Sequence, residues 1–267
     1  MDEYDDYRYL TFPVCLLKDA FDKIKDTCDN IFDYAIYKYS LTLDGTERER
    51  MEAALDYYKI TPGNLEIMTR NGKNLVNSIP DRSPLTSINK DRIFDFYKNQ
   101  KSEFNVACFC AFAAIKSILG KKGFCKTNKN FIITRMFGYN SMKDVPKKKP
   151  GLLIKYSKRY YVDKVLTELQ MDWHLNLFSD HCRGFYLSFD YSLEALARIN
   201  IEAKKATKLN ELRSKKKEAL RKAKEGEVYQ NKEEERKNIL IPKKEEDQKK
   251  QPESNNKINE EDDFCPF

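Results

Sequence analysis

The chain has 267 residues, 49 lysines and arginines against 42 aspartates and glutamates, a formal net charge of +7, and 40% hydrophobic residues. That length holds one large domain or two smaller ones with appendages, and enough chain for a sizeable core. The start, MDEYDDYRYL, is acidic where a secretory signal is basic, and no apolar run approaches the roughly 18 residues of a membrane span, so the sequence predicts a cytoplasmic protein without membrane contact.

The charge is uneven. Residues 1–60 carry −6, residues 61–190 carry +11, residues 191–225 carry +6 and residues 226–267 carry −4. A basic middle between acidic ends suits a polyanion-binding region, with an ordinary lysine-rich surface as the plain alternative. The seven cysteines fall at 15, 28, 108, 110, 125, 182 and 265 with no paired spacing, which predicts reduced thiols packed in a core. With only His174 and His181 as imidazoles, neither a metal nor a cofactor is expected.

In chain order, residues 18–40 place Phe21, Ile24, Cys28, Ile31, Phe32 and Ala35 at three- and four-residue spacing, predicting an amphipathic helix. A second helix follows DGT, with Met51, Ala54, Leu55 and Tyr58 facing inward. Thr61 and Pro62 read as the cap and first turn of a third helix, which Gly72 weakens at its far end. The stretch IPDRSPLTS (79–87) reads as a linker between a helical N-terminal domain (1–80) and a second domain (88–191).

After it come a short helix and a longer one from Ser102 to Leu119, ended by Gly120 or Gly123. KTNKNFIITRMFGYNS (126–141) predicts a short helix that Thr127 caps, with Asn128 and Lys129 in its opening turn and Gly138 behind it. Next, MKDVPKKKPGLLIKY offers Lys147, Lys148 and Lys149 between two prolines, then GLLIKY, with Lys155, as a candidate strand. A helix starting at Ser157 follows, with Val162, Val165, Leu166 and Leu169 as its apolar stripe and Lys158, Arg159, Tyr160 and Lys164 on its outer side. HLNLFSDHCRGFYLSF then reads as a hairpin whose tip carries His181 and Arg183 and whose turn Gly184 closes.

That order resembles a winged helix-turn-helix, over about a third of the chain and at the level of fold. The resemblance implies a helix whose N-terminal residues enter the major groove of duplex DNA, a wing on the adjacent backbone, and phosphate donors at the helix start. The candidate nucleic-acid contacts are therefore Thr127, Asn128, Lys129, Lys147, Lys148, Lys149, Lys155, Ser157, Lys158, Arg159, Tyr160, Lys164, His181 and Arg183. The connection before the third helix is longer than the usual turn, which departs from the pattern.

From Ser192 a solvated basic helix (192–225) is predicted to stop near Gly226, and residues 226–267 read as a disordered tail. The tail ends in EEDDFCPF. This resembles the acidic C-terminal tip of bacterial single-stranded DNA-binding proteins, with Glu260, Glu261, Asp262 and Asp263 as the acids and Pro266 and Phe267 at the close. Phe264 is an added aromatic, and Cys265 stands where Leu or Ile is usual in that family. The resemblance implies that Asp262, Asp263, Phe264, Pro266 and Phe267 bind replication or repair enzymes. Independently, a terminal ring beside its own carboxylate can fill a pocket while the charge meets a cation.

The fold class expected is mainly α (α+β): a helical N-terminal domain, a winged helix-turn-helix, a basic helix and an acidic-tipped tail. The function expected is a non-enzymatic, replication-associated DNA-binding protein, phage- or plasmid-initiator-like, with double-stranded DNA, replication or repair enzymes and a second copy of the chain as its candidate partners. A transcriptional regulator and a protein-docking adaptor are the alternatives. No phosphate loop, nucleophile elbow, metal-ligand spacing or isolated carboxylate pair suggests an enzyme.

Overall fold

A computed structural model of the chain describes residues 6–147, 150–179 and 184–239. It is mainly helical with a few short strands. Contacts group the described residues up to 204 into one compact unit and those from 205 to 239 into another.

The first unit opens with a 3-10 turn (Asp6–Arg8), strand β1 (Tyr9–Pro13), a second 3-10 turn over Val14–Asp19, and helix α1 (Ile24–Ser40). The helix expected over 18–40 thus begins only at Ile24. Helix α2 (Glu47–Tyr58) buries Met51, Ala54, Leu55 and Tyr58, the four positions its spacing picks out. Thr46 caps it, accepting from the Glu49 N–H, while Glu49 reaches back to the Thr46 N–H. This reciprocal arrangement satisfies two of the donors a helix start leaves open. Helix α3 (Leu65–Ser78) is capped by Asn64, whose Oδ1 accepts from the Ile67 N–H at 3.0 Å. The cap expected at Thr61 is therefore three residues early. Helix α3 continues through Gly72 to Ser78 despite the glycine's low helix propensity, and Gly72 lets it pack tightly on α1, because a Cβ there would lie 2.5 Å from both the Asp33 carbonyl and the Tyr37 Cβ.

The predicted linker does not remain a linker. Its end forms β2 (Leu85–Asn89), antiparallel to β1 with Leu10 opposite Ile88 and Phe12 opposite Thr86. Helix α4 (Lys90–Lys98) follows directly, then α5 (Glu103–Leu119), capped by Ser102 and ended at Gly120. Helix α5 is apolar nearly all round and is buried accordingly. Its Phe109, Cys110 and Ile115 are fully enclosed. Both Cys108 and Cys110 are core thiols; burial pushes Cys108 up to about 12 and Cys110 upward as well. One continuous core runs from Leu10 to Leu187 and joins the two halves that the linker reading separates.

Beyond α5 come β3 (Cys125–Thr127), α6 (Lys129–Met136), a 3-10 turn at Met142–Asp144, α7 (Gly151–Ser157), α8 (Arg159–Asp172), β4 (Asn176–Phe178) and β5 (Phe185–Ser188). GLLIKY is helical, not a strand: Leu153 and Tyr156, three residues apart, are its buried positions. The three strands form an antiparallel sheet in the order β3-β5-β4, with Leu187 opposite both Cys125 and Leu177. The β4–β5 pair is the hairpin expected from the sequence, and β3 is an addition to it.

Helix α9 (Leu193–Ile239) begins with Leu196 and Asn200 buried, and from Ile201 to Glu225 its side chains are exposed. It runs through Gly226, where a stop was expected. A single glycine costs a helix interior only about 1 kcal/mol relative to alanine, and the flanking lysines and glutamates are good helix formers. Ion pairs such as Lys222–Glu218 at 3.1 Å support the helix locally. The tip residues Asp262, Asp263, Phe264, Pro266 and Phe267 lie outside the described residues, and among the described residues no helix is long and apolar enough to cross a membrane.

Candidate nucleic-acid interface

Helix α8 is held by its inner face. Val162, Val165, Leu166 and Leu169 are buried as their spacing requires, and α8 packs on α5 and α7. Lys158 separates α7 from α8: its backbone is extended (φ −71°, ψ 136°), and the helix restarts at Arg159. No side chain caps this restart. The Lys158 carbonyl accepts from the N–H groups of Tyr161 and Val162, so the N–H groups of Arg159 and Tyr160 lie in the first turn, where a helix has no carbonyl of its own to offer them. Lys158, Arg159, Tyr160 and Lys164 are exposed around this opening, Tyr160 to 70%.

Ser157 does not cap α8. It is the last residue of α7, and its hydroxyl donates to the Leu153 carbonyl at 2.6 Å. Thr127 does not cap α6 either. It sits in β3, its hydroxyl is buried without a partner, and the cap is Asn128, whose Oδ1 accepts from the Phe131 N–H at 2.9 Å. With its side chain enclosed, Thr127 is closed to a ligand as the structure stands.

Three of the expected cations already hold acids. Lys129 pairs with Asp163, Arg159 approaches the other oxygen of the same carboxylate at 3.4 Å, and Lys155 pairs with Glu103 at 2.8 Å. Tyr156 also donates to Glu103, at 2.9 Å. These contacts hold Glu103 below the usual carboxylate range, through Lys155 first and Tyr156 next. Lys164 lies 4.8 Å from the Phe104 ring centroid, and Lys147 is exposed in the connection before α7. Lys148, Lys149, His181 and Arg183 lie outside the described residues.

Sequence reasoning missed the acids that organise this face. Asp163 sits one turn beyond Arg159, and that i,i+4 spacing was the available signal. The far half of α8 carries Glu168 and Asp172, close enough that burial and then Asp172 push the Glu168 carboxyl up. Also missed was Arg135 on α6, whose Nε and one Nη are buried without a hydrogen-bond partner while the guanidinium lies 5.1 Å from the Phe131 ring centroid. Burial lowers its pKa, and Asp144 works against that shift.

The hairpin stands beside α8 in sequence and closes through Gly184, whose φ of +100° is reserved almost entirely for glycine. Lys126 on β3 lies 5.5 Å from the Tyr186 ring centroid across the sheet. The start of α8 is thus uncapped and flanked by exposed lysines, and an antiparallel hairpin follows the helix in the chain. Among the described residues no group of three His, Cys, Asp or Glu side chains is placed to hold a metal. Comparison with protein-family models, with curated proteins and with solved structures finds no significant match.

Proposed function

We propose that the stretch from α5 to β5 is a winged helix-turn-helix that binds duplex DNA, with α8 as its recognition helix and the β4–β5 connection as its wing. The observation that carries this reading is the chain order helix–strand–helix–helix–helix–strand–strand together with the sheet order β3-β5-β4 and the open, lysine-flanked start of α8. A helix presented end-on in this way offers N–H donors, Lys158, Arg159 and an exposed Tyr160 to phosphates and base edges. The exposed basic stretch of α9 adds phosphate neutralisation without sequence information.

The protein acts as a non-enzymatic, replication-associated factor of the cytoplasm, and its described cysteines are free. Its EEDDFCPF segment recruits replication or repair enzymes that accept an aromatic side chain beside a run of acids. A protein-docking adaptor is the second reading, favoured by the acids Asp163, Glu168 and Asp172 on the same helix as the cations.

A mobility-shift assay at about 50 and 200 mM salt separates them: duplex binding weakens steeply over that range, and changing Lys158 and Lys164 to alanine lowers the log–log salt slope by about 0.9 for each phosphate no longer neutralised. No retention of duplex even at the lower salt overturns the DNA reading and leaves the adaptor. Pull-down with a peptide of residues 259–267, with and without Pro266 and Phe267, tests the tip. Equal capture by both peptides refutes it.

A further inference from the structure

Away from α8, a cavity of about 340 Å³ opens between α1, α3, α4 and the loop at 60–64. Ligand pockets run from about 300 to 1,000 Å³, so this one suits a single long side chain better than a larger molecule. One wall is carboxylate, with Asp29 and Asp33 on successive turns of α1. The others are aromatic and apolar: Phe32 and Phe94, with ring centroids 4.4 Å apart, and Tyr97, which is 37% exposed. Among the described residues that line the cavity, none is lysine or arginine. The nearby Lys98 approaches the Phe94 ring, at 5.5 Å from its centroid.

Asp33 is only 8% exposed. Burial pushes its carboxyl up to about 6, hydrogen bonding from Asn71 pulls the other way, and Asp29 adds to the rise. Asp29 is itself pushed up by burial and by Asp26. A carboxylate withdrawn from water with only an amide for company lacks the counter-charge that buried ions ordinarily have. Rings beside it supply what a cation with an aliphatic stem uses: a negative face for the head and apolar surface for the methylenes.

We propose that this pocket receives the ammonium or guanidinium head of a lysine or arginine side chain presented by a partner protein. The head meets Asp33 and Asp29, and the stem lies along Phe32, Phe94 and Tyr97. Charge complementarity commits the site to a cationic occupant, and the proposal stands whether or not α8 binds DNA.

The test uses the full chain, isotope-labelled, titrated with Nα-acetyl-lysine methylamide and followed through the Asn71 side-chain amide. The norleucine compound, which keeps the four-carbon stem and lacks the amine, is the control. Saturable shifts are expected with the lysine compound, at an affinity about tenfold above norleucine, which is about 1.4 kcal/mol and the low end of what a charged hydrogen bond contributes. Asp33→Asn, which removes a buried charge without changing shape, is expected to bring the two compounds to the same weak affinity while circular dichroism stays unchanged. Equal binding of lysine and norleucine by the unmodified chain, or lysine binding that survives Asp33→Asn, overturns the proposal. A dimer in sedimentation equilibrium that Asp33→Asn converts to monomer also overturns it, by assigning the pocket to a second copy.

Discussion

Replacing Asp163 by asparagine tests the DNA reading in a direction opposite to ordinary loss of function. The Asp163 carboxylate holds Lys129 through one oxygen and faces Arg159, 3.4 Å away, through the other. If the first turn of α8 meets phosphate, this acid both repels the ligand and occupies two cations that could serve it. A unit charge about 8 Å from a phosphate costs about 0.5 kcal/mol in water, and salt near physiological strength screens that by a factor of roughly 2–3. Several neighbouring phosphates, and the release of Lys129 and Arg159, bring the expected gain in binding to about 1 kcal/mol, or roughly fivefold at low salt.

The cost to the fold is small. The Arg159 side chain is 91% exposed and Asp163 is 42% exposed, and exposed pairs contribute only about 0–1 kcal/mol. Fluorescence anisotropy with a short labelled duplex, at low and moderate salt, reads the effect. Tighter binding and a salt slope steeper by up to about 0.9 are expected if one freed cation reaches a phosphate. Unchanged affinity, or weaker binding by a chain that is still folded, refutes the assignment of the α8 start as the contact surface.

Three further outcomes follow from the geometry. Gly72→Ala gains up to about 1 kcal/mol in helix propensity but sets a methyl 2.5 Å from the Asp33 carbonyl and the Tyr37 Cβ, so denaturant unfolding should show a net loss of about 1–3 kcal/mol. Gly184→Ala places a Cβ 2.7 Å from the Thr127 carbonyl at a φ of +100° and should destabilise the hairpin by about 1–3 kcal/mol, lowering duplex affinity while far-UV circular dichroism is retained. Asp33, whose folded carboxyl sits at about 6 above its unfolded value, binds more protons folded than unfolded, so its contribution to stability falls as pH rises from about 4 to 6. Asp33→Asn should therefore stabilise the chain at neutral pH, by about 1–3 kcal/mol after allowance for partial solvation, with little effect near pH 4 (about the unfolded carboxyl value).

Much of this fold was legible because periodicity reports burial. The inward sets of α2 and α8 could be read residue by residue, and so could Ser102 and Gly120 at the ends of α5. What escaped was whatever depends on a partner distant in sequence. Strand β3 has three residues, too few for alternation to register, and exists by pairing with β5 some sixty residues on. Likewise β2 looked like a linker because its partner β1 lies at the other end of the helical half. Gly72 misled for the same reason: its local effect is unfavourable, while its use is the close approach of α1. Within the candidate interface the cations were visible as letters, but Glu103, fifty-two residues before Lys155, was not visible as its partner. The i,i+4 pair of Arg159 with Asp163 could have been found from the sequence.

If α8 binds a duplex, the distribution of charge along it decides how the two meet. Lys158, Arg159 and Lys164 belong to its first half, whereas Glu168 and Asp172 occupy the second, where desolvation and Asp172 raise the Glu168 carboxyl. Laid lengthwise along a groove, the helix would set those two acids against a phosphate wall. Each would cost about as much as one lysine contributes, so with Asp163 counted too the acids would offset Lys158, Arg159 and Lys164 and the net electrostatic attraction would fall close to zero. Were it instead to enter by its N-terminal end, the helix would spend its open N–H groups, two lysines, an arginine and Tyr160 on the DNA and keep Glu168 and Asp172 at the rear. End-on entry therefore makes a distinct demand: neutralising Glu168 and Asp172 together should alter duplex affinity much less than neutralising Asp163 alone. Were the rear pair to matter more, the lengthwise arrangement would be the correct one.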